Sequence, residues 1–129
     1  MSGWDATIKL LHPVDLGTDF EADTVSVGGA FDVIADVEVG EELMGFAGSY
    51  DLWVKVRNLS TSTMLAADYV NVLLTPIHAP WRDRLHRNIP GGWIATEGDV
   101  LEVLASFKMN AGVHHDYSSA ISQHFIVTA

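Results

Sequence analysis

The sequence predicts one all-β domain, an antiparallel β-sandwich of about seven or eight strands, on three observations. Several stretches alternate apolar and polar residues with period two, as a strand does when one face is dry and the other wet. Short clusters rich in Gly, Asp and Glu punctuate those stretches. At 129 residues the chain can bury roughly two thirds of its unfolded surface around one core. Positions 1–129 are therefore read as a single domain.

From the N-terminus, the stretch 7–11 is short and stops at His12-Pro13. The stretch 20–27 runs into Gly28-Gly29, a tight turn towards Phe31. The clearest strand is 31–39, with Phe31, Val33, Ala35, Val37 and Val39 on one face and Asp32, Asp36 and Glu38 on the other. A helix would scatter these acids around its axis, whereas a strand turns them all towards water. Gly40-Glu41-Glu42 leaves this strand, and Gly45 and Gly48 precede the next. The stretch 49–58 repeats the pattern with Tyr50, Leu52, Val54 and Val56 inward and Asp51, Lys55 and Arg57 outward. These two strands are expected to pair antiparallel.

The stretch 64–75 is apolar on both faces, which suits a central strand or one with a bulge. A 17-residue connection, 76–92, follows it. Pro80 is placed to open a helical turn there, and Ile89-Pro90-Gly91-Gly92 to close it. Residues 93–96 suit an edge strand. The turn Glu97-Gly98-Asp99 launches 100–109, where Leu101, Val103, Ala105, Phe107 and Met109 face inward and Glu102, Ser106 and Lys108 outward. Residues 110–118 read as a long hairpin connection. In the last strand, 120–127, Ile121, Gln123, Phe125 and Val127 share a side. A small closed β-barrel is the alternative, since it shows the same alternation.

Glu97-Gly98-Asp99 followed by Val100-Leu-Glu-Val-Leu-Ala-Ser-Phe resembles the entry to the penultimate strand of immunoglobulin-like and fibronectin-like sandwiches. The resemblance spans about a dozen residues and implies immunoglobulin-like architecture. The cysteine pair of true immunoglobulin domains is missing, and function does not follow from architecture.

The formal charge of -10 is unevenly spread. Residues 1–56 carry eleven acids against two lysines, while residues 57–129 carry six acids against five basic residues. Such a field repels phosphate backbones, so nucleic acid is not an expected partner. The absence of cysteine excludes disulfides and thiolate chemistry and fits a reducing compartment. With no signal-type leader at the N-terminus and no apolar run of membrane-spanning length, a soluble cytoplasmic protein without membrane contact is expected.

The 76–92 connection holds Trp81, Arg82, Arg84 and Arg87, residue types that concentrate at interface hot spots. Trp53 and Ile34 lie on the nominal outer faces of strongly alternating strands, where apolar groups among charges mark contact patches. Neither a catalytic motif nor a metal-ligand spacing is present. His114, His115 and Asp116 are consecutive, so in extended chain their side chains point opposite ways. His78 and His86 lack the i, i+4 spacing of a helical zinc pair. Asn58-Leu59-Ser60 fits the glycosylation tripeptide but matters only in a secretory pathway.

The leading expectation is a non-catalytic protein-binding or assembly module without a cofactor. It would act through the 76–92 loop and an outer strand face, with Trp81, Arg82, Arg84, Arg87 and Trp53 as binding residues. Its partner would be another protein or a second copy of the chain. The alternative is a small β-barrel enzyme or small-molecule binder. Its pocket would be lined by Trp81, Trp93, Tyr69 and Phe107, with His78 or His124 as acid–base group.

Overall fold

The computed structural model describes residues 3–129; Met1 and Ser2, part of the N-terminal stretch read for a leader, lie outside the described residues. Among the described residues, nine strands form two facing sheets. They are β1 (Ala6–Val14), β2 (Thr24–Ser26), β3 (Phe31–Val39), β4 (Ser49–Asn58), β5 (Thr63–Leu73), β6 (Trp81–Ile89), β7 (Val100–Ala111), β8 (His114–Ile121) and β9 (Phe125–Thr128), with one helical turn, α1 (Glu41–Met44). The smaller sheet has the order β1-β3-β6, and the larger β2-β9-β7-β4-β5 with β8 also on β7. Two separate sheets make a mostly antiparallel β-sandwich, not a closed barrel. All pairings are antiparallel except β2 with β9.

The three strongly alternating strands present the faces that their pattern predicts. The odd-numbered series of β3 from Phe31 to Val39, the even-numbered series of β4 from Tyr50 to Val56, and Leu101 to Met109 of β7 are all buried in one core. Within that core Phe31 meets Phe125 and Trp93 edge-on at 5.8 and 6.2 Å, and Tyr50 meets Phe107 at 5.5 Å. The two contacts of Phe31 are edge-to-face, which suits the ring quadrupoles, and the Tyr50–Phe107 pair is tilted.

The expected pairing of β3 with β4 is corrected. β3 lies between β1 and β6, and β4 between β5 and β7, so the two strands belong to different sheets and contribute to one core from opposite sides. α1 causes the switch: it buries Leu43 and Met44 and carries the chain from one sheet to the other. Residues 20–27 contract to β2 and a single bridge between Glu21 and Val14. Residues 93–96 form no strand; Trp93 is buried there, with its indole N–H donated to the Gly29 carbonyl at 2.9 Å. β5 is not central but a sheet edge, and its register with β4 shifts beside Val56.

Two further strands stand where connections were expected. The 76–92 loop contains β6, paired along its whole length with β3. Its inward series includes Asp83 and Arg87, which dilutes the apolar alternation that betrays a strand. The 110–118 connection contains β8, reached from β7 by the short turn Gly112-Val113, with Gly112 at φ 64°. Its inward-leaning Asp116 and Ser118 are polar because they accept the Ala6 and Ile8 backbone N–H groups of β1, at 2.6 and 3.0 Å. They fasten the two sheets along that side.

The last strand is also broken. β7 pairs with β9 at Val100 and Leu101, then with β8 from Leu104 onward. Between the two, the buried Ser122 hydroxyl accepts the Val103 N–H at 2.9 Å. The irregularity at 122–124 shifts the phase by one residue, leaving Ile121 exposed while Phe125 and Val127 are buried.

Candidate functional site

The expected docking loop does not exist as one surface. Alternation along β6 sends Arg82 and Arg84 to the outer face of the smaller sheet and turns Trp81 and Arg87 the other way. Arg82 pairs with Glu38, holding the Glu38 carboxyl below its ordinary range. Arg84 meets Asp36 at 3.0 Å and Asp19 at 3.1 Å. Arg87 grips Asp68 of β5 through two nitrogens at 2.5 and 3.2 Å, joining the sheets at their edge. Trp81 is half-buried against Tyr50, with ring centroids 5.7 Å apart. Arg82 and Arg84 do line an open hollow of about 800 Å³ with Lys9, Asp36 and Glu38. Its charges already satisfy one another.

Ile34 is not a contact residue either. It stands opposite His12 and His86 in register and is fully buried. The 15–20 segment is tied over this face by Gly17 N–H to Asp32 at 3.0 Å and by Asp19 to Arg84 and His86.

The outer face of the larger sheet is different. Trp53 of β4 sits opposite Tyr69 of β5 and Ser106 of β7, and its ring lies 5.3 Å from that of Tyr69. One register step along, Asp51 is flanked by Asn71 and Lys108, with Tyr117 of β8 beyond. Lys108 lies over the Tyr117 ring at 5.5 Å, a cation–π contact. Tyr69 and Tyr117 are more than half exposed and Trp53 is partly so. Lys55 and Arg57 continue the same face.

Asp51 organises this platform. It is buried, and its carboxylate accepts the Tyr69 hydroxyl at 2.5 Å and the amides of Asn71 and Asn110 at 2.9 Å each. The Tyr69 bond, aided by both amides and the nearby Lys108 charge, holds the Asp51 carboxyl below the usual carboxylate range. The same bond pushes the Tyr69 hydroxyl up. With its oxygens filled, Asp51 is a strut that fixes the rings, not an acid–base group.

Charge distinguishes this face further. Four of the seven basic residues, Lys9, Arg82, Arg84 and Arg87, lie within ion-pair distance of carboxylates. Among the described residues Lys55, Arg57 and Lys108 form no such pair. Glu102, opposite Arg57 in register, directs its carboxylate to within 3.7 Å of His124.

The pocket expected from Trp81, Trp93, Tyr69 and Phe107 does not form. Phe107 is fully buried in the core, while Tyr69 lies on the outer face. His78 instead borders a surface hollow of about 480 Å³ beside α1, with Trp4, Glu41, Glu42 and Phe46. His114 packs against Trp4 and Phe46, and His115 bonds Asn110 at 3.1 Å. No three His, Asp or Glu residues converge as metal ligands among the described residues. The glycosylation tripeptide is closed off, because the Asn58 amide is buried and donates to Asp99 at 2.8 Å. Among the described residues no helix is long and apolar enough to cross a membrane.

No family model matches the chain, and no curated protein matches it. Solved structures align with it only distantly. A β-glucuronidase of glycoside hydrolase family 2 aligns with 90% of the chain at 11% identity and a TM-score of 0.48, but the chain spans only 12% of that enzyme. The CARDB domain of a Pyrococcus furiosus protein, solved with di-metal ions, aligns with 95% of the chain and 92% of its own length at 15% identity and a TM-score of 0.42. AggA, the major subunit of aggregative adherence fimbriae type I from Escherichia coli, aligns with 96% of the chain and 95% of its own length at 12% identity and a TM-score of 0.44. Likenesses this distant carry neither chemistry nor partner to this chain.

Proposed function

We propose that the chain is a non-catalytic protein-contact module whose working surface is the outer face of the larger sheet, centred on Trp53. One observation carries this reading: the three basic residues that form no ion pair among the described residues gather around an exposed aromatic platform in a molecule of charge -10. Aromatic rings offer large contact area at low entropic cost, and cations outside ion pairs favour a surface that supplies carboxylates. The fitting partner is therefore a protein with an acidic patch. The Asp51 network keeps the rings in place before contact, which reduces the ordering cost of association.

Co-purification with a partner from the native cell is the test. Trp53→Ala combined with Lys55→Glu and Lys108→Glu should lose the partner, while Arg82→Ser with Arg84→Ser should retain it. Equal retention by both variants would remove the basis of the proposal.

A further inference from the structure

The two sheets have edges, and an open edge offers a row of N–H and C=O groups that another strand can pair with. Most edges here are closed or guarded. β1 and β8 meet each other through Asp116 and Ser118. β2 is three residues long. β6 carries Arg82, Asp83, Arg84 and Arg87 along its length, the kind of charge that discourages pairing.

β5 is less guarded: its tie to the facing sheet is the side-chain pair Asp68–Arg87, which leaves its backbone groups free. It is 11 residues long, ends the larger sheet and, among the described residues, pairs only with β4. No residue of it is buried, and Leu73 is 82% exposed. Its single charged residue, Asp68, is held by Arg87, so the strand presents little net charge despite the acidity of the whole chain.

The sequence of β5 also suits pairing with itself. A two-fold axis through Tyr69 sets Tyr69 against its own copy, Ala67 against Asn71, and Ala66 against Val72, all on the regular side of the bulge at Leu65. Asp68 falls opposite Val70, so the two carboxylates do not meet. Outward residues stay with outward ones, as a continuous sheet requires. The self-matched contact is what a closed dimer uses.

We infer that two copies of this chain associate through antiparallel pairing of their β5 strands, extending the larger sheet across a two-fold axis. This contact uses the main chain of the edge and does not depend on the partner proposed for the Trp53 face.

Sedimentation equilibrium over a wide concentration range tests it. The wild type should reach twice the chain mass as concentration rises. Ala67→Lys with Leu73→Lys, at exposed positions, should remain at the mass of one chain with an unchanged melting transition. Because the chain has no cysteine, Tyr69→Cys should give a disulfide-linked dimer on mild oxidation, while cysteine at Ser106 should not. A wild type that stays monomeric overturns the inference. So does a dimer that survives the lysine substitutions but dissociates with Trp53→Ala and Lys55→Glu, since that association would be face to face. If the lysine pair proves unfolded, the cross-linking result decides alone.

Discussion

Ile34 and Trp53 begin from the same position in the sequence pattern: each is an apolar residue on the outward series of a strong strand. Ile34 ends fully buried beneath the 15–20 segment, whereas Trp53 stays at the surface against Tyr69. The difference lies outside either strand, in whether a distant segment is anchored over the face. Asp51 shows the same dependence. Read in sequence it is a solvent-facing acid, but three donors from three other strand positions enclose it. Its folded pKa lies below its unfolded value, so the unfolded chain takes up the proton first. The resulting stability is complete above the unfolded pKa, roughly 3.9, and fades as pH falls through the folded value. Asp51→Asn should cost about 1–3 kcal/mol near neutrality and weaken the loss of stability on acidification. Urea titrations at neutral and acidic pH measure both.

Among the elements, β6 and β8 were the least legible, for a shared reason. β6 alternates correctly, but Asp83 and Arg87 occupy its inward series, where Arg87 crosses to Asp68 of the other sheet. β8 is polar on its inner side because its side chains complete the hydrogen bonds of β1. In both cases inward positions serve another strand's needs, so hydrophobicity does not reveal them. The break between β8 and β9 depends on Ser122, whose hydroxyl takes the Val103 N–H that the interrupted pairing leaves over. Ser122→Ala should strand that buried donor at a cost of about 1–3 kcal/mol. The shift of the denaturation midpoint, together with faster exchange of the Val103 amide, would report it.

Over the whole molecule, the two proposed contacts respond oppositely to salt. Copies carrying a charge of -10 repel at long range, so β5 pairing should tighten as salt rises to about 0.5 M and screening shortens below ~10 Å. Binding of the basic Trp53 face to an acidic partner should weaken over the same range. Sedimentation for the first and titration calorimetry for the second provide the two slopes. Matching slopes would mean that one surface serves both contacts.

The β class, the inner faces of β3, β4 and β7, and the outward placement of Trp53 with Lys55, Arg57 and Lys108 follow from the sequence, because side-chain direction in a strand is a local period-two property. Which strands share a sheet, which outer face is covered, and which cations find carboxylates come only from the tertiary structure. Those outcomes depend on contacts between residues far apart in the chain, such as Arg87 with Asp68 and Ala6 with Asp116, and no local repeat encodes them. The exposed platform was therefore half legible: its Trp53 row could be read along β4, while the Tyr69 and Tyr117 that complete it are brought there by pairing.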